Sequence, residues 1–312
     1  MVAHPFHQVC GVSRIVRAGQ VPGNPGRWGC TLMASRLASL AGTVIGIYAA
    51  LVAAYYFTCL IVARLNRGKE WRRLQVRVES AEQIRRDRRQ SVVSLGVIAT
   101  LFGCGDWMWR TLHWGLPAPG HGLAGMVGSF LLSMLLFDTW FYWLHRLIHS
   151  RALYAMVHRW HHLTMAPEVW TNNSDLLLDN LFLQTYWLAA HWLVPAAPAA
   201  LFAHKLYDTV TGVIGHSGYE YAGIFAYPPS PIISVTHHDQ HHRFVHCNYS
   251  THFTFWDRLM GTLHRTHDAE LSRNLIRKRN PPGVMRFGSS QFDWPAEQGQ
   301  LRTRAKDRSP EP

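Results

Sequence analysis

The chain has 312 residues, 48% of them hydrophobic and only 16% charged, with a formal charge of +12 and a pI of ≈ 9.9. A charged share below the roughly 25% of soluble domains points to apolar segments held in a membrane, and a basic run lying between such segments fits an anionic membrane surface better than nucleic acid. Five cysteines (Cys10, Cys30, Cys59, Cys104 and Cys247) form no C-x-x-C pair, which argues against a disulfide framework, a zinc ribbon or a cysteine-held iron–sulfur cluster.

Residues 1–32 lack the apolar core of a secretory signal and are expected to be a disordered extension, with Met33 as an alternative start. The first uncharged run, Leu37 to Ala63, has 27 residues, more than the roughly 20 needed to cross a bilayer core, and predicts a spanning helix. Ten basic residues follow between Arg64 and Arg89, against four arginines before the span, which places this loop in the cytoplasm by the positive-inside rule. A second apolar stretch from near Ser91 to Trp114, a Pro/Gly turn at GLPAPGHG, and a third stretch from Leu123 to Leu144 form a hairpin that returns to the starting side. Leu176 to Gly215, broken by PAAP at Pro195 to Pro198, reads as a second helical hairpin, buried in or dipping into the membrane with both ends on that side. The Pro-, Gln- and charge-rich end, residues 284–312, is expected to be a disordered tail, leaving 33–283 as one membrane-embedded catalytic domain.

Histidines gather where these segments end. Five fall between His145 and His162, in FYWLHRLIHSRALYAMVHRWHH. His145 and His149 form H-x-x-x-H on one helical face; His158, His161 and His162 form H-x-x-H-H, expected on one face of a second helix after SRALY. His216 follows in HSGYE, and His238, His241 and His242 repeat H-x-x-H-H within VTHHDQHH. Neutral imidazole is the commonest protein ligand of first-row transition metals. Nine such residues exceed a tetrahedral zinc site and suit two ions with open positions. Lone histidines, such as His113, His191, His204 and His252, read instead as satisfied polar side chains.

This pattern, with NYSTHFTFWDRLMGT after the last box, resembles the fatty acid hydroxylase/sterol desaturase superfamily over about Arg85 to Thr262. HSGYE and NYSTHFTFWDRLMGT are most similar to the sterol C-4 methyl oxidase branch. The resemblance implies an all-α integral membrane helical bundle with a cytoplasm-facing histidine-rich dimetal site, an enzyme that uses O2 and two electrons to hydroxylate or desaturate a lipid. The implied cofactors are two non-haem iron ions, with O2 as co-substrate and electrons from a ferredoxin or cytochrome-type donor. The implied ligands are His145, His149, His158, His161, His162, His216, His238, His241 and His242. Leu176-Leu177 and Thr211-Gly212 stand where some members carry further histidines. Redox chemistry of this kind excludes zinc as the working metal.

Asp138, seven residues before His145, is a candidate to orient that ring, and Asn172, Asn173, Asp175 and His237 are further candidates beside the ligands. Trp256, Asp257 and Gly261 read as structural. Two other functions stay open on the residues alone. One is a membrane zinc hydrolase with Asp239 or Asp138 as base, although H-E-x-x-H is absent; the other is a metal-binding or transport protein, which would need ligands near mid-membrane.

Overall fold

A computed structural model describes residues 25–118, 122–221 and 227–279; the expected tail and residues 1–24 of the expected extension lie outside the described residues. Regular structure there is entirely helical: α1 (Pro25–Asn66), α2 (Ala81–Leu112), α3 (Leu123–Ile148), α4 (Tyr154–Val157), α5 (Leu177–Leu193), α6 (Pro198–Gly215), α7 (Val235–Phe244), α8 (Phe255–Leu259) and α9 (His267–Arg279). Two isolated bridges, Arg73 with Tyr219 and Ile232 with Phe253, are the β pairing among the described residues.

Among the described residues, three helices are long and apolar enough to cross a membrane: Leu32–Asn66, Ala81–Leu112 and Leu123–Ile148. The second starts earlier than its apolar run because Ser80 caps it, its side chain accepting from the Gln83 N–H. Arg85, Arg86, Arg88 and Arg89 therefore ride the first turns of α2 instead of lying in a loop. Ile45 and Phe57 on α1 are 65% and 68% exposed, and Leu131 and Leu135 on α3 are exposed as well. Such a surface would be an aggregation liability in water and is what lipid chains solvate.

The inward faces close on a shared core of Leu51 and Tyr55 from α1, Leu95, Ile98 and Phe102 from α2, Phe137 from α3, Trp187 from α5 and Leu201 from α6. Close approach of backbones tightens it. A Cβ at Gly105 would lie 2.6 Å from the Leu188 carbonyl oxygen, so only glycine lets α2 and α5 meet there.

α5 and α6 form the second hairpin. Its turn sits at the far end of the bundle, where Ser129 at the start of α3 donates to the Pro195 carbonyl and the Leu116 N–H donates to the His191 carbonyl. Instead of merely dipping in, the hairpin runs the depth of the bundle, and α5 begins and α6 ends at the opposite pole. The basic segment after α1 packs against that same pole. The Leu74 N–H donates to Gly218 at 2.9 Å, Arg73 pairs with Glu168 at 2.8 Å, and Glu79 accepts the Ala166 N–H at 2.9 Å.

Candidate metal centre

The histidine boxes meet at this pole, in two groups whose ring nitrogens lie within 4.8 Å of one another inside each group: His145, His149, His158, His162 and His241 in one, His161, His216, His238 and His242 in the other. His238 is half-buried and the other eight are buried. Two expectations about local structure change. The helix after SRALY is the single turn α4, and His158 follows it as the chain turns; His161 and His162 sit on a 3-10 turn. The H-x-x-H-H residues also do not act as one face. In the first box His158 and His162 go to one group and His161 to the other. On α7, His238 and His242 go together while His241 points to the other group. Doubling the histidine sends neighbouring side chains about 100° apart around a helical axis, toward two different centres.

What orients each ring can be read from the partner of its Nδ1. The Nδ1–H of His145 donates to the Tyr249 carbonyl at 2.8 Å, that of His241 to Cys247 at 2.7 Å, that of His242 to Thr164 at 2.9 Å and that of His216 to Gly212 at 2.8 Å. His158 donates to Asp179 Oδ2 at 2.7 Å, and His161 Nδ1 faces Asp175 Oδ1 at 2.9 Å. A carbonyl or carboxylate oxygen only accepts, so in the five hydrogen-bonded rings Nδ1 carries the proton and Nε2 keeps its lone pair, whereas His161 Nδ1 meets Asp175 without hydrogen-bond alignment. Those lone pairs converge: His145 and His158 Nε2 are 3.0 Å apart, His216 and His238 Nε2 2.8 Å, and His238 and His242 Nε2 3.1 Å. Among the described residues, His149 and His162 have no partner at either ring nitrogen, and His241 has none at Nε2.

Buried lone pairs facing one another repel, and unpartnered buried nitrogens are costly. A cation at each focus removes both penalties, and a carboxylate or carbonyl behind each ligating imidazole is the usual outer support of such sites. Burial, then the neighbouring rings, hold His149, His158, His162, His238, His241 and His242 far below the ordinary histidine range; burial, then His161, brings His216 down to about 3. These imidazoles are therefore neutral at physiological pH, the form that binds metal. The residues present fit two first-row transition ions.

The remaining candidates divide by what they touch. Asp175 backs His161, while Asn172 and Asn173 line a cavity beside the rings. Asp138 does not reach His145; it accepts the backbone N–H groups of Thr251, His252 and Phe253. His237 belongs to neither group and donates to Asp257 Oδ2 at 3.0 Å. Asp257 also accepts from the Tyr249 and Ser250 N–H groups, fixing the loop whose carbonyl turns His145. Two carboxylates escaped the sequence reading. Asp179 falls four residues after Asp175, a helical spacing that could have flagged it. Asp87, inside the basic run, accepts from Thr164, Thr171 and Ser174 and so fixes the segment behind His242.

The cavity, about 90 Å³, is walled by His145, His158, His161, His216 and His238 on one side and by Asn173, Gln184, Asp208 and Thr211 among others. Asp138 and Asp239, the candidate bases of a hydrolase, do not line it.

Residues 130–262, which contain all nine histidines, match the family described as Fatty acid hydroxylase. Methylsterol monooxygenase 1 of Rattus norvegicus is 32% identical over 131 residues, 40% of this chain and 43% of that protein. Cholesterol 25-hydroxylase of Mus musculus is 27% identical over 164 residues, 49% and 54% of the two chains, and lathosterol oxidase of Homo sapiens 26% over 187 residues, 58% and 61%. The chain thus spans about half the length of the curated relatives it matches. No solved structure matches it. The matched segment carries every ring of both groups and the loops that turn them, so the metal-bearing part of the chain is similar to the fatty acid hydroxylase family.

Proposed function

We propose that this protein is a membrane-bound lipid oxygenase whose two histidine groups hold a pair of non-haem irons. The observation that carries the reading is the convergence of neutral, buried Nε2 lone pairs on two adjacent foci beside a cavity. The relatives, by their names, oxidise or hydroxylate sterols. Bound iron supplies the redox chemistry that couples O2 to an unactivated C–H bond: hydroxylation consumes one O2, two electrons and two protons and yields the alcohol and one water. The electrons come from an external ferredoxin or cytochrome-type donor.

The chain's own part is to hold and to exclude. Asp179 and the carbonyls of Tyr249, Cys247, Thr164 and Gly212 fix ring orientation, Asp175 sets a negative charge beside His161, and burial keeps bulk water from the rings. The lipid enters from the membrane between the spans and presents its reacting carbon in the cavity. The pole that carries the rings faces the cytoplasm, since the basic segment from Arg64 to Arg89 packs against it. Residues 33–283 make up the catalytic domain.

Metal analysis of protein purified from iron-supplemented cells tests this. Two irons per chain and lipid-dependent O2 uptake after anaerobic reconstitution are expected. A chain that neither carries iron nor takes it up ends the oxygenase reading.

A further inference from the structure

The metal-facing cavity has a polar wall that ring orientation does not require. Lys205 on α6 is only 1% exposed, yet its ammonium lies over the Trp187 ring and donates to Asp208 Oδ2 at 2.6 Å and to Gln184 Oε1 at 3.3 Å. Trp187 Nε1 donates to the same Gln184 oxygen at 3.0 Å. Both Asp208 and Gln184 line the cavity. The Gln184 oxygen is thus taken by these two donors, and Asn173 Nδ2, also on the cavity wall, is buried without a partner among the described residues. Asp208 keeps 13% of its side chain open, and its Oδ1 comes no nearer to the protein's other charged groups than the 3.8 Å to His252 Nε2, beyond hydrogen-bond reach. Burial pushes the Asp208 carboxyl up, but Lys205, His252 and His204 together outweigh it and hold it below the ordinary carboxylate range.

A buried ion pair is rarely a net stabiliser, because desolvation of both charges opposes their attraction. Hydrocarbon pressed against Asp208 would make that cost larger by sealing an unpaired carboxylate oxygen. A ligand group that both donates and accepts would satisfy the wall: its proton to Asp208, its lone pairs to the Gln184 or Asn173 amide. A hydroxyl does both.

We infer that Asp208, held by Lys205 beside Gln184, is the specificity residue of this cavity and recognises a lipid hydroxyl group. Calling that lipid the substrate rests on the oxygenase reading. A cavity of about 90 Å³ admits only the end of a lipid, so the hydroxyl and the carbon facing the histidines lie within a few bonds of each other.

The test uses full-length protein loaded with zinc, so that nothing turns over, in lipid nanodiscs. Displacement of radiolabelled cholestanol by unlabelled cholestanol or cholestane gives one comparison, and 1-octadecanol against octadecane gives the second. Wild type is expected to prefer at least one alcohol over its hydrocarbon by about tenfold to a hundredfold, the range of a hydrogen bond to a charged group, and the pair that discriminates names the carbon skeleton. Asp208→Asn should lose most of that preference while its metal content stays at the wild-type level. Should the lone buried ammonium prevent folding, the double variant Lys205→Met with Asp208→Leu removes both charges together and should lose the preference too. A wild type that holds neither alcohol more tightly than its hydrocarbon overturns the inference, as does preference unchanged in a folded variant. Protein that discriminates but takes up no iron would instead sink the oxygenase reading and leave the hydroxyl site standing.

Discussion

His161 and His162 are neighbours in the chain but belong to different centres: their rings lie 5.6 Å apart at 82°, one joining His216, His238 and His242, the other His145, His149, His158 and His241. The two centres are thus covalently tied through single peptide bonds, at His161-His162 and again at His241-His242. This adjacency sets their separation more rigidly than packing of independent helices could.

The unequal groups make a first prediction. His162→Ala leaves four imidazoles in its group, whereas His161→Ala leaves three. Both variants should lose lipid oxidation by at least about a hundredfold, and His161→Ala should retain less metal than His162→Ala. Membrane extraction and helicity should match wild type. Elemental analysis of the two purified variants decides it: equal, full metal in both would mean that these rings do not ligate.

Asp179 makes the second. It holds His158 at Nδ1 from a fully buried position. Asp179→Asn keeps the shape but loses the charge, and the amide can present its NH2 to the ring. Metal affinity or turnover should fall by about 10- to 100-fold, as for outer-shell partners generally, with the secondary structure unchanged. Competition with a graded series of chelators reads this directly, and an unaltered release curve would assign Asp179 to packing alone.

Much of this site was legible in the chain before any coordinates. The spacing of the histidines, and the apolar runs that deliver them, are side-chain patterns. The division between centres was not legible, because it depends on where His158 leaves α4 and on a 3-10 turn that no hydrophobic periodicity marks. The groups that turn the rings were hidden for a different reason. Four are backbone carbonyls, of Tyr249, Cys247, Thr164 and Gly212, and a carbonyl leaves no trace in residue identity. Asp138 shows the converse error: helical register put it on the face of His145, but its Oδ1 takes three N–H groups from a segment more than a hundred residues away.

Asp87 makes the third prediction, and it concerns stability. Almost fully buried, it accepts from Thr164, Thr171 and Ser174 and pairs with Arg86 at 2.7 Å. Asp87→Ala strands these donors together with the guanidinium. A loss of about 3–5 kcal/mol is expected, the usual cost of removing one member of a buried pair. Because Thr164 also carries the carbonyl that turns His242, metal should be released at a lower temperature than in wild type. Thermal melts followed by fluorescence and by metal release should shift together; a melt within a degree of wild type would contradict the role given to Asp87.

The last prediction separates the fold from the chemistry. Gly105 lies near the end of α2 remote from the histidines, where a Cβ would meet the Leu188 and Trp187 carbonyl oxygens at 2.6 and 2.9 Å. Neither oxygen can swing aside, since each belongs to the backbone of α5. Gly105→Ala must push α5 outward, at a cost of about 1–3 kcal/mol for an overpacked contact. Yet α5 begins at the metal pole with Asp179, the partner of His158, and a rigid helix moved at one end tilts at the other. The melting temperature should drop, and metal affinity should weaken by a smaller factor than in Asp179→Asn, although the substitution lies far from every ring. If the variant melts early but binds metal with wild-type affinity, α5 bends instead of tilting, and His158 is positioned by its local segment alone.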